Sequence, residues 1–271
     1  MKVTKTLGIV LALLFAVPGD HKLRAQTPTD TYQQMSQLQR SEFVASQARR
    51  IANDLSGRDY EFTPAFVEEI QQALNLYTQR IGNDGDSALG ERDLRMVVAR
   101  GEKEAPKLIA VFKARNLSPL FGLYIPWVES EYVNLQAPNS LGAIGMFQFL
   151  PKTGERYGLS TQDLLDTEKS ADAAARYITD GLEKFKGDPM KEALALLAYN
   201  RGENKTANDL KLFGTEKTKQ CSICALTAAR NKSDATFQNE SVYYVPRFFA
   251  AAIIGENPQS FGMKSKPLSS Y

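Results

Sequence analysis

Apolar residues recur at helical spacing along most of the chain, and no convincing set of segments alternates in the two-residue rhythm of a half-buried strand. Phe66, Ile70, Leu74, Tyr77 and Ile81 mark one face of a helix predicted over 64–81, opened by Thr63-Pro64 and closed before Gly82. A turn is expected over 83–87. Two further helical stretches are expected at about 90–100 and 104–115, with Leu108, Val111 and Phe112 on one face of the second. Ser118-Pro119 opens the next helix, which carries Leu120, Leu123, Tyr124, Trp127 and Val128 inward and has Pro126 within it. A polar loop containing Gly142 and Gly145 follows, and a helix is expected to begin near Gly145 and run past Pro151. Residues 166–186 place Ala171, Ala174, Ile178, Leu182 and Phe185 in register. Asp188-Pro189 caps one more helix, which ends at Gly202, and 240–254 is a last apolar helix.

Between these elements, 26–55 reads as a polar, extended or loosely helical lead-in, 203–238 as irregular, and the end of the chain from Asn257 as a Pro/Gly/Ser tail. The expected class is all-α.

At the start, Lys2 and Lys5 precede an apolar run over 7–17, then Pro18-Gly19 and a polar stretch, which is the layout of a secretory signal peptide. Cleavage is expected after Ala25, despite the large Leu23 two residues earlier. The protein is therefore expected to be exported and periplasmic, and no cysteine follows the run to carry a lipid anchor. Removing 1–25 takes away Lys2, Lys5, Lys22, Arg24 and Asp20 and leaves 29 basic and 30 acidic residues. No nucleic-acid footprint remains. His21, the single histidine, also lies in the leader, so the mature chain has no route to Ser-His-Asp or Cys-His catalysis or to a histidine metal site. Cys221 and Cys224 form a C-x-x-C without two further soft ligands or a strand-to-helix setting, and a local disulfide is the expected reading over a redox motif.

Glu129 is the residue with chemistry to explain. Flanked by Trp127, Val128 and Tyr132 at the end of an apolar helix, its carboxylate form is disfavoured by desolvation, as a general acid near neutral pH requires. A lone buried Glu is more often a structural acid satisfied by hydrogen bonds. The neighbours change that balance. Glu129-Ser130, then Gly142-Ala143-x-Gly145-Met146-Phe147-Gln148, then Ala198-Tyr199-Asn200-x-Gly202, then Glu240-Ser241-x-x-Tyr244-Val245 occur in this order.

This series resembles the four signature motifs of the lytic transglycosylase catalytic domain, glycoside hydrolase family 23, related in fold to goose-type lysozyme. Residues 145–159, GMFQFLPKTGERYGL, look particularly like the membrane-bound lytic transglycosylase D branch. The resemblance covers about 105–255. It implies a lysozyme-like domain over 105–257, a helical N-terminal extension over 26–104 and a tail over 258–271. By position it makes Glu129 the single acid/base, with Ser130 helping to place the substrate or the acid. Gln148 and the backbone of Gly145, Met146 and Phe147 would line the saccharide groove, Tyr199 and Asn200 would sit beside the carboxyl, and Tyr244 would pack against it with Glu240 supporting that corner. Asn139 or Ser140 would take the loop position that contacts sugar. The implied substrate is the peptidoglycan glycan strand, cut between N-acetylmuramic acid and N-acetylglucosamine with closure of a 1,6-anhydro ring. A monomer without metal or organic cofactor is expected.

An intramolecular hydroxyl and the substrate's own N-acetyl group can replace the second carboxylate that ordinary glycosidases need, so one Glu suffices. Two departures keep alternatives open. Glu131 stands where the family commonly has an uncharged residue, and Phe147 where Met or Trp is common. Two residues on from Glu129, Glu131 is expected to face another side as a solvated charge; in an early-unwound helix it would instead support hydrolysis. The rival readings are a muramidase using water and a silent peptidoglycan-binding protein. Without the motifs, Tyr199, Tyr243 and Tyr244 would be core aromatics with polar tips, Trp127 core, and Gln148 a partner for a buried backbone group.

Overall fold

A computed structural model describes residues 30–82, 93–214 and 220–271. The leader expected over 1–25 and the turn over 83–87 lie outside the described residues. Within them the architecture is all-α: eleven α-helices with short 3-10 turns, and an isolated bridge between Ile144 and Phe149 as the sole extended pairing. None of these helices is long and apolar enough to cross a membrane.

Two helices form the centre because they are apolar on every side. In α4, Pro119–Ser130, every residue from Leu120 to Trp127 is buried, and in α11, Tyr244–Glu256, all but Arg247 are. Such a helix must be surrounded. Around them lie α1 (Gln37–Ser56), α2 (Pro64–Thr78), α3 (Leu94–Ala114), α6 (Thr167–Lys184) and α7 (Lys191–Arg201). Four shorter helices complete the set, α5 (Pro151–Glu155), α8 (Glu203–Phe213), α9 (Ser222–Ala228) and α10 (Ala235–Asn239); α8 and α9 pack on α7, and the last residues wrap back onto the bundle.

Several segments differ from expectation. Residues 37–56 form a regular helix, opened by a capping box between Ser36 and Gln39. Its inward face is Val44, Ala48, Ile51, Ala52 and Leu55, a stripe too small and too interrupted by Gln and Arg to stand out as periodic. The two stretches expected at 90–115 are one helix, α3, capped by the Asp93 side chain and continuous through Pro106. The boundary expected at residue 104 therefore falls inside a helix, and α1 to α3 share one hydrophobic core with the rest. Where 203–238 was expected to be irregular, the described residues include three short helices, α8, α9 and α10. Arg201, buried at the end of α7, draws them in by binding Asp209 on α8 and Asp234 at the N-cap of α10, with its guanidinium over the Phe237 ring. In the tail, Phe261, Met263 and Leu268 are buried, and Glu256 accepts from Ser269. Cys221 and Cys224 are joined in a disulfide at the start of α9.

The segment after Gly145 is not helical. Ile144 and Phe149 pair across a tight reversal, and helix resumes at Pro151. Gly145 at φ +79° and Gln148 at φ +49° are left-handed, a backbone that no helix accommodates.

Candidate active site

α4 delivers Glu129 to the wall of a groove. The carboxyl is half-buried: it reaches the groove, while the rest of its surroundings are protein. Tyr244, the first residue of α11, donates its hydroxyl to Glu129 Oε1 at 2.7 Å. Burial pushes the Glu129 carboxyl from its ordinary 4.5 up to about 7; the Tyr244 donation opposes the rise and the negative charge of Glu240 adds to it. Tyr244 and Tyr199 lie with their rings nearly parallel, centroids 6.5 Å apart, and both phenols are held well above their usual range by burial and by the Glu129 charge. They remain neutral donors at any physiological pH.

The groove encloses about 290 Å³ and is lined by Glu129, Asn139, Gln148, Tyr199, Asn200 and Glu240, with Leu141, Phe149 and Tyr177 among its apolar walls. Its floor is held by side chains binding backbone. Ser130 donates to the Met146 carbonyl at 2.7 Å and Tyr199 to the Phe147 carbonyl at 2.9 Å, tying the 144–149 reversal to α4 and α7. Gln148 donates to the Gly145 carbonyl at 2.7 Å and accepts from Asn139 at 3.2 Å. Asn139 also accepts from the backbone N–H groups of Leu141 and Ala143, at 2.9 and 3.0 Å. Asn200 donates to Glu240 at 3.1 Å, and its own carbonyl oxygen is buried with no partner among the described residues.

The expected site residues thus divide. Glu129, Gln148, Tyr199, Asn200 and Glu240 converge on one groove, and Tyr244 touches its acid. Gly145, Met146 and Phe147 are buried and do not line the groove; they present carbonyls to Gln148, Ser130 and Tyr199. Ser130 faces this scaffold as well. Ser140 is exposed and outside the lining, and Asn139 holds the loop position at the groove.

Glu131 departs from the expected solvated charge. It and Tyr132 both take left-handed backbone, φ +52° and +62°, which turns the chain sharply at the end of α4. The Glu131 carboxylate then faces away from the groove into a bidentate pair with Arg80 at 2.6 and 2.8 Å, while Arg100 binds its carbonyl at 2.8 Å. Sequence reasoning missed Arg80 and Arg201, whose partners are distant in the chain. It also missed Tyr177 and Phe149 as groove walls, since nothing distinguishes them from core aromatics.

Fold and groove together define an all-α, lysozyme-like domain presenting one high-pKa carboxyl. Residues 109–222 match the family model described as the Transglycosylase SLT domain. Peptidoglycan transglycosylase gp16 of Escherichia phage T7 is 36% identical over 89 residues, 31% of this chain and 6% of that protein. Membrane-bound lytic murein transglycosylase D of Escherichia coli strain K12 is 29% identical over 179 residues, 63% of this chain and 35% of that protein. The chain thus spans about a third of the length of that relative. Residues 109–222 thus carry a lytic transglycosylase domain, similar to that of membrane-bound lytic murein transglycosylase D.

Proposed function

We propose that this protein is an exported, periplasmic peptidoglycan lytic transglycosylase, cutting the β-1,4 bond between N-acetylmuramic acid and N-acetylglucosamine and leaving 1,6-anhydro ends. The observation that carries the reading is the Glu129 carboxyl at about 7, reaching a groove and held by Tyr244. Protonated, it donates to the bridging oxygen as the bond breaks. The carboxylate left behind accepts a hydrogen bond from Tyr244 and takes the proton of the muramoyl 6-hydroxyl as that oxygen closes on the anomeric carbon. The proton removed equals the proton given, and no water is consumed. A pKa near the working pH serves both steps.

A hydrolytic reading draws on Glu240, a second carboxylate in the same groove, which could activate water as two-carboxylate glycosidases do. Glu131 gives that reading no support, because its carboxylate points the other way. Mass spectrometry of fragments released from purified sacculi separates the two. Anhydromuramoyl ends, absent with Glu129→Gln, are expected; reducing muramic acid ends alone would replace the transglycosylase reading with a muramidase. A Glu129→Gln variant that turns over normally would remove Glu129 from its role.

A further inference from the structure

Glu131 and Tyr132 are consecutive non-glycine residues in left-handed backbone, and they begin two positions after the acid. A residue with a Cβ is disfavoured in that region and glycine is not, so something must hold both of them there. The turn they make closes α4: the N–H groups of Glu131 and Tyr132 donate to the Trp127 and Pro126 carbonyls at 3.1 and 3.3 Å. Glu129 lies inside the turn so closed, and its aim into the groove depends on that turn staying shut.

The groups that hold the turn come from before residue 109, where the matched domain begins. Arg80, two residues past the end of α2, grips the Glu131 carboxylate with both terminal nitrogens, and the pair is mostly out of water, the two side chains being 19% and 13% exposed. On α3, Arg100 binds the Glu131 carbonyl, and the Tyr132 ring lies so close to Gly101 that a Cβ there would fall 2.8 Å from it. The Tyr132 hydroxyl reaches back to α4 and donates to the Leu123 carbonyl at 2.6 Å. A bidentate guanidinium–carboxylate pair fixes direction as well as distance, so Arg80 dictates where Glu131 can lie.

We infer that Arg80 is a positioning residue for the acid: by holding Glu131 in left-handed backbone it keeps the last turn of α4 closed and the Glu129 carboxyl against Tyr244. Arg80 does not line the groove and acts through Glu131 alone. The inference rests on the proposed reading, in which Glu129 is the acid. It gives the segment before the matched domain a part in aiming that acid. With Arg80 gone, Glu131 loses its bidentate partner, the chain relaxes out of the left-handed region, and Glu129 moves toward solvent.

The experiment compares wild type, Arg80→Gln, and Arg80→Gln combined with Glu131→Gly. Glycine takes the left-handed backbone with no charge to hold it, so the second substitution restores the turn while Arg80 stays absent. Arg80→Gln is expected to lower kcat on solubilised peptidoglycan about tenfold with KM within about twofold of wild type, and the double variant to recover most of the loss. Carboxyl carbon NMR supplies a readout that needs no turnover: the Glu129 pKa, about 7 in wild type, should fall toward the ordinary 4.5 in Arg80→Gln and return in the double variant. Tyr199, Tyr244 and Glu240, the ionisable groups facing the carboxyl, are the same in all three proteins. Loss of a positive charge would by itself raise the value, so a fall identifies a loosened, better solvated carboxyl. Should Arg80→Gln not melt cooperatively, Arg80→Lys, which keeps the charge but lacks the fork, is expected to show both changes to a smaller degree. An unchanged kcat, a loss that glycine does not relieve, or a Glu129 pKa that stays or rises would overturn the role of Arg80 and leave the transglycosylase reading standing. A wild type that cuts no peptidoglycan, yet shows the fall and return of the Glu129 pKa, would remove that reading and leave the positioning role in place.

Discussion

At the scale of single residues, the site is a balance of opposed influences on one carboxyl. Burial raises the Glu129 pKa, the Tyr244 hydroxyl lowers it by bonding the charged form, and Glu240 raises it by repulsion. Since the acid must be protonated when substrate arrives, kcat/KM is expected to fall as pH rises through about 7. The two neighbours then predict shifts of opposite sign. Tyr244→Phe removes the bond to the carboxylate, so the descending limb should move to higher pH. Glu240→Gln removes the repulsion, so the limb should move to lower pH. Initial rates on solubilised peptidoglycan between about pH 5 and pH 9 read both; limbs that move together, or stay put, would mean that some other group titrates. Glu129 itself was legible from its apolar flanks and motif neighbours. Its contact with Tyr244 was not derivable from local pattern, because 115 residues separate the pair. Asn139 and Ser140 were equivalent in the sequence, and only the turn geometry chose between them.

At the scale of elements, the groove depends on an irregular segment. The sequence led to the expectation of a helix beginning near Gly145 and running past Pro151, where the chain instead reverses. The deciding physics is the approach of Gly145 to a neighbouring chain: a Cβ there would lie 2.3 Å from the Leu164 carbonyl oxygen, a backbone atom that cannot swing aside. Gly142 has a similar φ, +87°, but open space around it. Gly145→Ala is therefore expected to lower stability by about 3 kcal/mol and Gly142→Ala by about 1 kcal/mol. Thermal melts of the two variants test this. A Gly145→Ala protein as stable as Gly142→Ala would show that the reversal does not need the close approach. Activity should follow the first substitution, because the carbonyls held by Ser130 and Tyr199 belong to that reversal.

At the scale of the whole molecule, the N-terminal helices complete the core around the site. Phe62 lies edge-on to Phe249 of α11 with centroids 5.2 Å apart, and it stacks on Phe66 of α2. The Tyr60 hydroxyl donates at 2.6 Å to Glu192, a buried carboxylate on α7 that Arg58 also pairs. At the far end, the Tyr32 N–H donates to the Ser260 carbonyl at 2.7 Å, and the Tyr32 and Phe43 rings pack on Phe261. A chain beginning at residue 105 would expose the α2-facing side of α11 and strip the buried Glu192 of Tyr60 and Arg58, leaving it Lys191 at 4.0 Å, a loss of several kcal/mol against a total stability of roughly 5–15 kcal/mol. The 105–257 region alone is accordingly expected to lack a cooperative thermal transition and a near-ultraviolet circular dichroism signal, whereas the chain from residue 30 onward melts in one step. A cooperative 105–257 fragment that cleaves sacculi at the full-length rate would reduce α1 and α2 to an appendage.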